Sequence, residues 1–107
     1  MVLIVSTSRF PLSKAKEVGQ RFTEVAKKYP PDRSIEKVIL RMAARIIDDE
    51  VETITVTEVK EGKYEEVYKR STEQQLLYAD IEGMKFRVDT FISGVEAMPM
   101  VGLEMPE

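Results

Sequence analysis

A chain of 107 residues, 43% hydrophobic and 33% charged, has the make-up of one folded domain, with enough material for a single core and too little for two. It contains no Cys, His, Trp or Asn. Catalytic triads, thiol nucleophiles, imidazole bases, structural zinc sites and His-ligated haem are therefore outside its own chemistry. What remains is carboxylate, Lys, Tyr and Ser/Thr chemistry, or metal binding through oxygen.

The net charge of −3 hides an asymmetry: residues 1–50 carry ten Lys/Arg against seven Asp/Glu, and residues 51–107 carry six against twelve. Solvated helix faces account for it; complementary halves meeting in a dimer is the sharper reading. No apolar run approaches the ~20 residues of a membrane span. Met1–Val5 is too short for a signal peptide and lacks the basic flank. With no disulfide framework available, a cytoplasmic location is expected. Few thermolabile residues beside abundant Glu, Lys and Arg suggest a thermophilic source, an inference that six methionines soften.

In chain order, Val2-Leu-Ile-Val5 reads as a buried strand running into polar Ser6–Phe10 and closed by Pro11. Ser13 is the expected N-cap of a helix. On that helix Ala15, Val18, Gly19, Phe22, Val25, Ala26 and Tyr29 line one face at spacings of three and four, until Pro30-Pro31 ends it. Gly19, on the inner face, is expected to allow close contact with a strand. Residues 35–47 carry both signals. Helix propensity favours one, while the unbroken alternation Val38, Leu40, Met42, Ala44, Ile46 favours strand, and strand is the reading taken. Asp48-Asp49-Glu50 is then a hairpin turn into β-branched Val51–Val59. A second helix is expected over Tyr64–Tyr78, stopped by Gly83. Met84–Ile92 alternates cleanly, with Met84, Phe86 and Val88 on one side and Lys85, Arg87 and Asp89 on the other. Ser93 and Glu96 have the spacing of a capping box. Residues 97–107 are expected to form a tail that docks through Met100, Val101 and Leu103.

The order strand, helix, strand, strand, helix, strand is the ferredoxin-like α+β arrangement, an antiparallel sheet with two helices on one face. Within it, Glu58–Lys63, Ala79–Met84, Gly94-Val-Glu-Ala97 and Val101-Gly-Leu103 resemble small uncharacterised proteins of the dimeric α/β-barrel superfamily. The likeness spans residues 58–103. It implies a homodimer in which two ferredoxin-like chains pack sheet to sheet. Some members of that superfamily are oxygenases, isomerases or haem-binding proteins that rely on His, Asn and Trp. None of these residues exists here, so no site residue is implied, and no cofactor is expected.

With the apolar strand faces under the helices, the opposite face is expected to collect Arg41, Arg45, Lys85, Arg87 and Asp89, joined by Thr53, Thr55 and Thr57. Such a face suits a dimer contact with charges paired across strands. It also suits a cavity between two sheets holding a small polar or anionic ligand on bidentate Arg donors. Nucleic acid needs aromatic platforms on a basic surface, which this acidic chain lacks. The functional expectation is a homodimeric domain, non-catalytic or ligand-binding. The alternative is a cofactor-independent isomerase or oxygenase acting on a small anionic compound. The three acidic residues of the turn lack the spacing of a calcium loop. The five glycines never cluster into a phosphate cradle.

Overall fold

The computed structural model describes residues 1–107. Four antiparallel strands, β1 (Val2–Pro11), β2 (Glu36–Ile47), β3 (Glu50–Val59) and β4 (Lys85–Ile92), lie in the order β2-β3-β1-β4. Helices α1 (Ala15–Lys28) and α2 (Tyr64–Leu76) follow β1 and β3, and a short helical turn, α3 (Gly94–Ala97), follows β4. This is a ferredoxin-like α+β fold, as the order of elements required.

Residues 36–47 are strand because the β-branched run of β3 offers a partner along their whole length. Pairing runs from Glu36↔Val59 to Ile47↔Glu50, with register shifts between Val38 and Leu40 and between Leu40 and Ala43. Asp48 takes φ 56° in the two-residue turn, a left-handed conformation that Asp tolerates better than bulkier residues.

Strand β1 is hydrogen-bonded on both sides, so its alternation fixes the identity of each face. Ile4 and Phe10 point toward the helices and are 1% and 3% exposed. They anchor two separate apolar clusters. One joins Ile4, Ile35, Val59 and Val67; the other joins Phe10, Val18, Val51 and Ile81. Between them on the same face the register sets Ser6 opposite Thr55 and Ser8 opposite Thr53. The threonines of β3 therefore lie beneath the helices and not on the open face. Choosing Ile54 and Val56 as inward residues sets the strand one residue out of phase, and such a slip exchanges every side chain between faces. Ile54 belongs to the open face; Val56 follows it by register but, opposite the irregularity in β2, also borders the groove.

Several local expectations are corrected. Ser13 lies inside a 3₁₀ turn (Leu12–Lys14), and Lys14 occupies the N-cap of α1 without a side-chain bond. Ser93 does precede a helical turn but caps it with no side-chain bond, and its Oγ is buried without a partner. The α2 helix stops at Leu76, and residues to Asp80 continue as turns. The tail does not dock through Met100, Val101 and Leu103, which are 73%, 72% and 57% exposed. Met105 instead lies against Gly94.

Two arginines tie the helices down. Arg21 of α1 donates to the carbonyl of Leu77 and grips Asp80 with two bonds of 2.6 and 3.1 Å. Arg70 of α2 donates to the Pro30 carbonyl beyond α1.

Two glycines give opposite expectations. Gly83 has φ 81°, and a Cβ there would sit 2.6 Å from Pro11 Cγ. Gly83→Ala is expected to destabilise by about 1–3 kcal/mol through strain and clash. A Cβ at Gly19 would meet nothing within 4 Å, so this glycine does not serve a close strand contact. Gly19→Ala should stabilise α1 by about 0.5–1 kcal/mol. Urea denaturation of both variants reads the two signs.

Candidate functional site

The gap between the two apolar clusters is a groove of about 320 Å³. Its roof is the α1 stripe from Ala15 to Tyr29, the face that the spacing of three and four selects. Val38, Leu40 and Met42, in the irregular stretch of β2, form one wall. Ser71, Gln74, Gln75 and Tyr78, from α2 and the turn after it, close the other side. Its floor is Ser6, Ser8, Thr53, Thr55 and Thr57. Small hydroxyl residues stand here in place of the larger apolar side chains that would fill the space below α1.

Two of the floor's hydroxyl interactions are internal. Ser8 Oγ bonds Thr53 Oγ1, and Thr57 Oγ1 donates to the Lys37 carbonyl at 3.2 Å. The facing pair Ser6 and Thr55 keeps its hydroxyls for whatever enters. Two titratable groups border the space. Burial pushes the Glu36 carboxyl above the usual carboxylate range, against the opposing pull of Arg70 and a hydrogen bond from Thr57. Burial also raises the Tyr78 phenol.

The open face of the sheet is different. A shallow depression there is lined by Thr7, Ala43, Glu52, Ile54, Arg45 and Arg87. It brings together two of the expected site residues. Arg45 Nε is 2.8 Å from Glu52 Oε1 and Arg87 Nε is 2.7 Å from Asp89 Oδ2. Lys85 stands at the edge, 3.7 Å from Glu50, which also binds Arg9 at 2.9 Å. Arg41 is not among them. The register shifts in β2 set it apart, and it lines the groove on the helix side. Arg9, Arg45, Lys85 and Arg87 each have a carboxylate partner, so this part of the face carries balanced charge rather than an anion-binding field. Such exposed pairs add little stability, roughly 0–1 kcal/mol each.

The sequence identifies the α1 face that forms the roof, but does not predict a groove on this side of the sheet and places its floor threonines on the other. The available signal was Ile4-Val-Ser6-Thr-Ser8-Arg-Phe10 beside Val51–Val59, two strands with large apolar ends and hydroxyls at alternate positions between them.

No family model and no curated protein matches the chain. Among solved structures, the de novo designed protein Foldit4 is similar over 86% of this chain and 97% of its own, with a TM-score of 0.52 at 18% identity. An ACT domain protein from Streptococcus pneumoniae reaches 0.49 at 13% identity, over 84% of this chain and 89% of its own. A de novo design with the ferredoxin fold gives 0.49 at 13% identity, over 87% of each chain. At these identities the likeness concerns the fold alone. No helix is long and apolar enough to cross a membrane.

Glu36 provides a test of the groove's polarity. Its raised folded-state pKa means that its favourable contribution is complete below the unfolded Glu value of about 4.3 and is lost as pH rises through the folded value. Glu36→Gln should match the parent in stability at pH 3.5 and gain on it progressively toward pH 7. Thermal unfolding of both proteins across that range checks it; a stability difference that does not change with pH is the contrary result.

Proposed function

We propose that the chain works as a homodimeric, non-catalytic α+β domain that associates through the open face of its sheet. The observation that supports this reading is surface. The chain exposes 7355 Å², about 1,250 Å² more than a folded monomer of its mass should. That excess compares with the roughly 800 Å² that each partner contributes to a standard interface.

The character of the open face fits a second copy better than a small anion. At one end Leu3, Val5, Val56 and Phe91 make an apolar area, with Phe91 52% exposed. At the other end Arg9, Arg45 and Lys85 alternate with Glu50 and Glu52. A patch carrying both signs and an apolar area can meet its own image across a twofold axis. An anionic ligand would have to displace Glu52 and Asp89 from the arginines it needs.

Light scattering coupled to size-exclusion chromatography tests the proposal. The expected mass is twice the 12.3 kDa of one chain at micromolar concentration. Ile54→Lys and Phe91→Asp, each placing a charge on the open face, should give folded monomers with unchanged far-ultraviolet circular dichroism. A parent protein that elutes as a monomer overturns the reading.

A further inference from the structure

We infer that the groove between α1 and the sheet binds an uncharged amphipathic small molecule, an apolar ring system or short chain carrying hydroxyl or carbonyl oxygens along one edge. This site lies on the opposite side of the sheet from the proposed dimer face and does not depend on it.

The chemistry follows from the asymmetry of the groove's own surfaces. Its roof and outer wall are apolar: Val18, Phe22 and Val25 from α1 face Val38, Leu40 and Met42 from β2. Its floor presents a row of hydroxyls, of which the facing pair Ser6 and Thr55 is free to donate and to accept. A purely apolar occupant would bury Ser6 and Thr55 without partners, which opposes binding. A highly polar one would waste the roof. Only Glu36 and Arg41 bring charge to the lining. Burial disfavours the ionised form of the Glu36 carboxyl, and Arg41 is solvent-exposed at the rim, so neither residue sets a strong field inside the groove. At about 320 Å³ the space lies at the lower end of small-molecule sites, enough for a fused two-ring compound.

The groove is also built in a way that resists collapse. Ile4 and Phe10 clamp the two ends of β1 into separate clusters, and Arg21 and Arg70 pin the helices at Asp80 and Pro30. Above the floor, Gly19 presents no side chain, and a methyl group there would touch nothing within 4 Å.

The test uses two neutral probes that differ by one hydroxyl, 2-naphthol and naphthalene, titrated into the isotopically labelled protein and followed by amide chemical shifts. Saturable shifts confined to the groove-lining segments of β1, β2, β3, α1 and α2 are expected, with 2-naphthol bound roughly threefold to tenfold more tightly, the equivalent of about one net hydrogen bond. The double variant Ser6→Ala, Thr55→Val keeps the shape and should abolish that preference. Gly19→Leu, which fills the space from the roof, should abolish binding of both probes while the protein remains folded. The proposal is overturned if neither probe shifts the groove amides. Equal binding of the two probes by the parent protein also overturns it. So does a double variant that melts higher yet keeps the parent's preference, since the hydroxyl row would then be only an unfilled core.

Discussion

Everything in this molecule depends on the two-sided hydrogen bonding of β1. Held between β3 and β4, that strand cannot slip without moving both neighbours, so Ile4 and Phe10 are committed to the helix side at its two ends. The residues between them follow by alternation. Ser6 and Ser8 must then face the helices, and the register carries Thr53, Thr55 and Thr57 to the same side. A sheet would ordinarily bury its β-branched apolar residues and leave hydroxyls outside. Here the middle of the sheet is inverted, with hydroxyls inward and Val5, Ile54 and Val56 outward.

That inversion explains both unusual surfaces at once. Inside, the hydroxyl row divides what would be one core into two clusters and leaves α1 without a tight floor. Only nine residues are buried in the whole chain, so stability rests mainly on the two apolar clusters at the ends of the sheet. Outside, the displaced apolar side chains give the open face its area around Leu3, Val5 and Phe91. The groove and the open face are therefore two consequences of one register, and a change of phase in β3 would remove both.

The architecture was legible from the chain because its periodicities are strong. The α1 stripe, the alternation of Met84–Ile92 and the β-branched run Val51–Val59 specify type and order without ambiguity. The phase of β3 was not legible. In Val51-Glu-Thr-Ile-Thr-Val-Thr-Glu-Val59 one face carries Val, Thr, Thr, Thr, Val and the other Glu, Ile, Val, Glu, so local hydrophobicity favours neither strongly. Partner strands decide, and pairing is not local information. The same limit applies to Ser13 and Ser93, whose residue type and spacing suggest caps. The chain direction at Leu12 and at Ile92 leaves neither hydroxyl aimed at a helical N–H. The site residues divided for a related reason: Arg45 and Arg87 converge across the sheet, while two register shifts in β2 carry Arg41 to the helix side.

The inverted register also bears on why a sequence would keep such a core. Replacing Ser6 and Thr55 with Ala and Val would leave backbone pairing untouched and exchange hydroxyls for apolar surface beneath α1, a change that ordinarily adds stability. A chain that retains hydroxyls at five consecutive inward positions across two strands has forgone that gain at every one. Sequences consistent at all other levels concentrate such departures at functional sites. The departure here is confined to the floor under α1. It ends abruptly at Ile4 and Phe10 on β1 and at Val51 and Val59 on β3, where large apolar residues return and the core closes. Random loosening of a core would scatter polar residues along the strands. The polar floor beneath α1 is bounded at both ends instead, which is the pattern the proposed ligand site requires.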